Sequence, residues 1–334
     1  MELLHTPKPW LRAKLLAGDS TELLDAEPTL GLEHYVTTYY LYIYAPDKDV
    51  VKLTNILSSL AIPYYLNAYH VNLQVGDKVY IYNRAHLSDY QQQFILQLVQ
   101  QGLYTDSFSS FLDGCLQYTD VGLLNNEDFL NQAFLANLNK PIAKRFNRLL
   151  DIIVASVLLI LSLPVLLITA IAIKLESNGN VIYKQKRTGL YNQEFEILKF
   201  RSMRVDAEQQ GAQWSSKQDS RITRVGNVIR KTRIDELPQL LNVLKGEMSV
   251  IGPRPEREIF IKELEQVIPF YRCRHLIKPG ITGLAQVSFG YGSSVSDAVH
   301  KHRYDVFYLK HRSLWMDIKI LFKTVKTVIL GQGL

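Results

Sequence analysis

The spacing of apolar residues changes character along the chain, and each change predicts an element. Tyr39–Ala45 is an unbroken aromatic and β-branched run, the pattern of a buried strand. Over Asp49–Leu60 the apolar positions Val51, Leu53, Ile56, Leu57 and Leu60 follow a helical period. Tyr64–Val71 and Lys78–Tyr82 read as two further strands. Ser88–Gln101 reads as a helix capped by Ser88 or Asp89. Alternation of strand and helix predicts a small Rossmann-like α/β domain with a mostly parallel sheet over residues 1–140. No Gly-x-Gly-x-x-Gly follows any of these strands, so dinucleotide binding has no support and a structural or assembly role is expected. Asn125–Lys140 reads as a polar helical connector.

The pattern then turns continuously apolar. Ile152–Ile173 holds 22 residues without a charge, about 33 Å as a straight helix, enough to span a bilayer. Pro164 interrupts it near the middle, with Ser162 close by to satisfy a freed carbonyl. Lys140, Lys144, Arg145 and Arg148 precede the run, and Lys174, Lys184, Lys186 and Arg187 follow it. Positive residues mark the cytoplasmic side, so basic flanks at both ends predict a helix-break-helix hairpin over about 149–175 that enters and leaves on one face. A spanning helix and a soluble core helix are the alternatives.

Beyond it, residues 181–204 read as a hairpin with Lys199 and Arg201 on one face, and 205–218 as a polar mobile segment. Arg221–Lys231 is amphipathic and basic, suited to anionic headgroups. Leu237, Leu240, Leu241 and Leu244 recur at i, i+3, i+4 and i+7, predicting a helix with Pro238 in its first turn and Lys245-Gly246 as its stop. Near the end, Leu314, Trp315, Ile318, Leu321, Phe322 and Val325 form an apolar stripe interrupted by lysines. That stripe suits either an interfacial helix or core packing.

Charge separates the two parts. Residues 1–140 carry a net −7 and residues 141–334 a net +13, within a total of +6. The basic part calls for an anionic partner: nucleic acid, a membrane surface or a phosphorylated substrate. The charges cluster around the apolar run, which leaves nucleic acid with little support. Cys115 and Cys273 lack metal-ligand spacing, which fits a reduced compartment, and Met1–Ser20 lacks the pattern of a signal peptide. His275, His300, His302 and His311 likewise have no metal-binding spacing.

The chemistry concentrates in residues 232–256. Asp235-Glu236 is expected at the positive end of the predicted helix, which favours ionised carboxylates by roughly 0.3–1 kcal/mol each. Adjacent acids there serve as a simple capping device, hold a cation or attack an electrophile. Gly252-Pro253-Arg254-Pro255 then stiffens the backbone on both sides of one arginine, a residue suited to bidentate phosphate contact.

The whole string Asp-Glu-Leu-Pro-Gln-Leu-Leu-Asn-Val-Leu-Lys-Gly-Glu-Met-Ser-Val-Ile-Gly-Pro-Arg-Pro resembles the signature of the bacterial sugar transferases, the monotopic phosphoglycosyl transferases. Lys199-Phe200-Arg201-Ser202-Met203 and Lys278-Pro279-Gly280-Ile281-Thr282-Gly283-Leu284-Ala285-Gln286-Val287 resemble two more family elements, and the likeness runs over roughly 144–334. Gly290–Val295 departs from the family's usual Gly-Arg, which bears on donor-sugar choice.

The resemblance implies an α+β membrane catalytic domain over 141–334 with a re-entrant helix, at the cytoplasmic face of the bacterial inner membrane. It implies transfer of a sugar-1-phosphate from a nucleotide diphosphosugar, a UDP-sugar, to polyprenyl (undecaprenyl) phosphate in exopolysaccharide or other glycoconjugate assembly. In that scheme Asp235 forms a covalent aspartyl-phosphosugar. Glu236 is the Mg²⁺ ligand, and Lys199, Arg230 and Arg254 contact phosphates. Membrane lipids are expected partners, and a second copy of the chain is left open. A glycosyl transferase that moves sugar without phosphate and a non-catalytic membrane scaffold are the rival readings.

Overall fold

The computed structural model describes residues 40–60, 63–74, 77–130, 134, 138, 140–207, 219–290 and 294–329. The expectations for Met1–Ser20, for 208–218 and for Tyr291–Ser293 lie outside the described residues. The chain divides into two compact units, Met1–Phe129 and Leu130–Leu334.

In the first unit, β1 (Leu41–Tyr44), α1 (Val50–Leu60), β2 (Tyr64–Leu66), β3 (Lys78–Ile81), α2 (Asp89–Gln100), β4 (Thr105–Ser107) and α3 (Phe108–Leu116) follow one another. The strands form a parallel sheet in the order β2-β1-β3-β4. Strand alternation sends Leu41 and Ile43 toward Leu53, Leu57, Phe108 and Leu112 of α1 and α3. Tyr42 and Tyr44 pack on the opposite face with Ile95 and Leu98 of α2. Burial on both faces is why β1 is apolar throughout. Ser88, rather than Asp89, caps α2 in a capping box with Gln91. The strand expected over Tyr64–Val71 stops at Leu66, because Asn67 turns left-handed (φ 50°) and pairs its amide with both backbone groups of Ala45. Among the described residues between β2 and β3 there is no helix.

α4 (Asn126–Leu130) is a short helix where the first unit ends, and the long helix of the second unit is α5 (Pro141–Glu176). α5 is long and apolar enough to cross a membrane. It continues through Pro164 as a single helix, whereas two helices joined by a break were expected. Ser162 Oγ donates to the Leu159 carbonyl at 3.2 Å, one residue short of the carbonyl that Pro164 leaves free. Both ends of α5 bind the second unit. Arg148 donates to the Val243 and Leu244 carbonyls (2.5 and 2.7 Å), and Asp151 accepts from Ser249 Oγ and the Val250 N–H (both 2.8 Å). At the other end Glu176 accepts from the Val225 N–H (3.1 Å), and the buried Arg201 donates to the Ser177 and Asn178 carbonyls (2.8 and 2.9 Å). Between these ends Ile160, Leu161, Leu163, Leu167 and Ile168 are exposed.

There follow the antiparallel hairpin β5 (Ile182–Thr188) and β6 (Glu194–Phe200), α6 (Arg224–Lys231), a 3-10 turn (Ile234–Glu236), α7 (Gln239–Lys245) and β7 (Ser249–Ile251). α8 (Glu258–Leu264), β8 (Gly280–Thr282), α9 (Leu284–Ser288), α10 (Val295–His311) and α11 (Leu314–Ile329) complete the unit. β7 and β8 pair in parallel. A Cβ on Gly280 would lie 2.1 Å from the Gly252 nitrogen and one on Gly283 2.2 Å from the Gly252 oxygen, so only glycines let the two loops meet backbone to backbone. In α11, Ile320 and Asp317 turn inward and Ile318 and Leu321 are half-buried, while Leu314, Trp315, Phe322 and Val325 of the same stripe are exposed.

The helix expected from the leucine spacing differs in two ways. It starts at Gln239, leaving Asp235-Glu236 in their own 3-10 turn, and Leu241 is exposed while Asn242 is fully buried. The cause is the free edge of β6. Asn242 Oδ1 accepts from the Leu198 N–H (3.0 Å), and its Nδ2 donates to the Glu196 carbonyl and to Glu247 (both 2.7 Å). One amide thus stands in for a missing strand and rotates α7 away from its most apolar face. Asn242→Ala is expected to lower stability by about 2–4 kcal/mol, since two buried backbone groups lose their partners. A thermal or denaturant unfolding curve that overlays wild type in detergent would count against this role.

Candidate active site

Three segments of the second unit converge on one buried carboxylate. β6 supplies Lys199, the 3-10 turn supplies Asp235 and Glu236, and the loop after β7 supplies Arg254. Lys199 Nζ lies 3.0 Å and Arg254 Nη2 2.7 Å from Glu236 Oε1, while Arg233 Nη1 lies 3.7 Å from Oε2. Both carboxylates of the turn are 7% exposed, so these charges act in a partly dehydrated setting where their interactions are stronger than in water. Arg233 is left-handed (φ 59°), and its carbonyl accepts from the Glu236 N–H at 3.1 Å. This reversal of the chain after α6 turns both acids inward.

The two acids are tuned in opposite directions. Burial tends to raise the Glu236 carboxyl, but the positive charges of Arg254 and Lys199 outweigh it and hold the group well below the usual carboxylate range. Asp235 is pushed up to about 6, by burial first and by the negative charge of Glu236 second; Lys199, Arg230 and Arg254 oppose the rise. Burial pulls the Lys199 ammonium down, with Glu236 resisting. Glu236 raises Arg254. The result is a permanently ionised Glu236 that organises cations, beside an Asp235 whose carboxylate is more basic than usual and still roughly nine-tenths ionised at pH 7.

Of the residues singled out from the sequence, Lys199, Glu236 and Arg254 are in direct contact, Asp235 is adjacent, and Arg230, in the last turn of α6, acts on Asp235 through its charge. Arg201, expected on the Lys199 face, instead turns to the carboxyl end of α5. Arg233 was missed, although its place two residues before Asp235 was a signal. Arg187 was missed as more than a flanking charge: its guanidinium donates to the Pro255 carbonyl (3.2 Å) and to Glu256 (3.4 Å), beside Arg254. His275 and His302 are buried, in contact with Asn192 Oδ1 (2.7 Å) and the Pro269 carbonyl (3.2 Å).

A carboxylate of raised basicity next to fixed guanidinium and ammonium groups is equipped to attack an electrophile that is itself an anion. Residues 142–331 match the family model of the bacterial sugar transferases. The chain belongs to this family. Among its relatives, the UDP-N-acetylgalactosamine-undecaprenyl-phosphate N-acetylgalactosaminephosphotransferase of Aeromonas hydrophila is 48% identical over 207 residues, covering 62% of this chain and 49% of that protein. The UDP-glucose:undecaprenyl-phosphate glucose-1-phosphate transferase of Klebsiella pneumoniae is 44% identical over 184 residues, 54% of this chain and 39% of that protein. A protein of the same name from Caulobacter vibrioides is 41% identical, covering 54% of this chain and 69% of its own length. The chain spans half or less of the length of the first two. In this bacterial sugar transferase the three converging segments all lie inside the matched region.

The opposed tuning has a pH signature. Lowering pH from 7 through 6 protonates Asp235, whose pKa is raised, while Glu236, whose pKa is depressed, stays charged. If ionised Asp235 is the reacting group, kcat/KM falls about tenfold per pH unit below about pH 6. A profile that stays flat between pH 5 and 7 would remove Asp235 from that role.

Proposed function

We propose that this bacterial sugar transferase moves a sugar-1-phosphate from a UDP-sugar to undecaprenyl phosphate, at the cytoplasmic face of the inner membrane, as an initiating step of exopolysaccharide or related glycoconjugate assembly. The observation that carries the proposal is the buried Asp235 of raised basicity set beside a Glu236–Lys199–Arg254 cluster. An Asp235 oxygen attacks the sugar-linked phosphorus; the bond from that phosphorus to the bridging oxygen breaks, and the oxygen leaves with the electron pair as part of UMP. An oxygen of undecaprenyl phosphate then attacks the same phosphorus, the aspartyl–phosphorus bond breaks, and Asp235 is regenerated as a carboxylate. Lys199, Arg230 and Arg254 neutralise the phosphates of both anionic substrates, which otherwise repel each other and the nucleophile.

Mg²⁺ is proposed as the cofactor. Among the described residues no group of three His, Cys, Asp or Glu side chains could hold a metal. The Asp235-Glu236 pair nevertheless fits a cation that takes one or two carboxylates and completes its shell with substrate phosphate and water. Asp235, raised by burial first and by the Glu236 charge second, would be held in its ionised form by a bound cation. Glu236 is the assigned ligand, and bound Mg²⁺ supplies neutralisation of the diphosphate.

The re-entrant path of α5 belongs to the same proposal. Arg148 and Glu176, at opposite ends of the helix, both bind one compact unit. A helix that crossed the bilayer would place them on opposite surfaces. Re-entry keeps both on one side, with the exposed apolar middle in lipid, and α11 adds its exposed Trp315 and Phe322 at the interface. The acidic first unit, whose parallel sheet runs in the order β2-β1-β3-β4, is read as Rossmann-like and assigned an assembly role.

The relatives' names divide between N-acetylgalactosamine and glucose, so the deciding experiment is a panel of UDP-hexoses and UDP-N-acetylhexosamines with undecaprenyl phosphate in nanodiscs. UMP is the expected released nucleotide, with a phosphosugar trapped on Asp235 when acceptor is withheld. Release of UDP would instead indicate direct glycosyl transfer. Asp235→Asn is expected to retain the fold and under one per cent of turnover, and Glu236→Gln to displace the Mg²⁺ titration; an overlaid titration would remove Glu236 as ligand.

Topology is checked separately. Cysteines replacing Ile142 and Asn180, in a background lacking Cys115 and Cys273, are both expected to resist an impermeant thiol reagent in intact cells and both to react after lysis. Labelling of only one of them before lysis would mean that α5 spans.

A further inference from the structure

The loop that carries Arg254 has an unusual way of being held. Pro253 and Pro255 have no N–H, so this stretch can be fastened mainly through its carbonyls. Four in succession are engaged, each by a different donor. The Pro253 carbonyl accepts from the Gly280 N–H (2.9 Å), Arg254 from Arg274 Nη2 (2.9 Å), Pro255 from Arg187 Nη1 (3.2 Å) and Glu256 from the Thr188 N–H (2.9 Å).

The donor to Arg254 itself is the most constrained of the four. The Arg274 side chain is 4% exposed, its Nη1 donates to the Tyr271 hydroxyl (2.7 Å), and its Nη2 lies 2.8 Å from Asp305 Oδ2 on α10. The guanidinium also sits 5.1 Å from the centroid of the Tyr271 ring. Replacing such a buried ion pair with apolar residues of similar volume is often neutral or stabilising, so stability alone gives no reason for an arginine here. Its planar fork does something an apolar side chain cannot: it joins α10 and Tyr271 to one chosen backbone oxygen.

We infer that Arg274, braced by Asp305 and Tyr271, is a positioning residue that fixes the backbone of Arg254 and thereby aims the Arg254 guanidinium at Glu236 and at the substrate diphosphate. The inference rests on the transferase reading for the substrate half of that statement. Arg274 touches no substrate; it acts only through Arg254. Displacing a catalytic contact by about 1 Å lowers rate by a factor on the order of a hundred, so holding this carbonyl has a kinetic consequence out of proportion to one hydrogen bond.

The test is a double-mutant cycle on the full-length protein in nanodiscs. Arg274→Lys keeps a positive charge opposite Asp305 but loses the planar fork, in which Nη1 holds the Tyr271 hydroxyl while Nη2 meets both Asp305 and the Arg254 carbonyl. It is expected to lower kcat about ten- to a hundredfold, with KM for the UDP-sugar changed less than about threefold. In an Arg254→Lys background the same substitution is expected to add less than about twofold, because the residue it positions is already altered. Multiplicative losses in the cycle would overturn the inference.

Hydrogen–deuterium exchange provides a reading that does not depend on turnover. Peptides covering 252–258 are expected to exchange faster in Arg274→Lys while those of α5 and β5–β6 do not change. Acceleration throughout the second unit would show a merely structural role and also overturn the inference. Should Arg274→Lys fail to fold, Asp305→Asn, which keeps shape and leaves Arg274 unbraced, is expected to give the same pattern in smaller degree; unchanged exchange at 252–258 would overturn it. A wild-type protein that releases UMP from no UDP-sugar would sink the transferase reading, and the exchange comparison would still decide whether Arg274 holds the loop.

Discussion

Glu236 is a buried carboxylate shared by two cations from different parts of the chain, and the geometry of the catalytic unit follows from it. Lys199 comes from a strand, Arg254 from a loop behind a second strand, and Glu236 from the turn between them, so the salt-bridged triad closes sequence separations of 37 and 18 residues. Removing one partner from such a set typically destabilises by about 3–5 kcal/mol, because a charge is left buried and unmatched. The same arrangement sets the basicity of the acid next door. Lys199 and Arg254, salt-bridged to Glu236, offset only part of the burial and neighbouring negative charge that raise Asp235. A single asymmetry gives two adjacent acids different basicities, as environment-driven separation of paired carboxylates does in other sites.

Much of this was legible in the residues, and what was not has a common cause. The apolar run of α5, the β5–β6 hairpin and the strand–helix alternation of the first unit are local periodicities, visible because neighbouring residues share one environment. Local stiffness marked Gly252-Pro253-Arg254-Pro255, and a contiguous string marked Asp235-Glu236. The misses come from bonds between distant segments. Nothing near Asn242 says that it will pair with β6, 44 residues away, and that bond exposes Leu241 against its own leucine pattern. Asn67 shortens β2 in the same manner, by serving the backbone of Ala45. Arg274 and Arg187 look like ordinary surface cations until the loop they support is in place.

The second unit is also a solution to a problem of phases. One proposed substrate is dissolved in water and the other keeps its phosphate at the headgroup level of a bilayer, so the reacting groups must face a boundary. On that proposal α5 and α11 would provide the apolar surfaces for the boundary, exposed while their polar or small residues turn inward: Asp151, Ala155 and Thr169 on one, Asp317 on the other. Basic α6 ends in Arg230 just ahead of the turn that bears the acids. On the proposed function, long-range attraction for anions and short-range phosphate contacts would come from one continuous stretch of chain.

The bonds made by Arg148 and Asp151 carry this further. Arg148 grips the carboxyl end of α7, and Asp151 grips the first residues of β7, so the opening turns of α5 are fastened to the elements on either side of the Gly246 turn. The turn with the two acids leads into α7, and the loop with Arg254 leaves β7. In a bilayer this makes α5 a depth gauge: wherever its first turns come to rest among the headgroups, the acids and Arg254 are carried to a matching height. Lipids of different thickness would then shift the whole site toward or away from the plane of the acceptor's phosphate as one piece, without bending it.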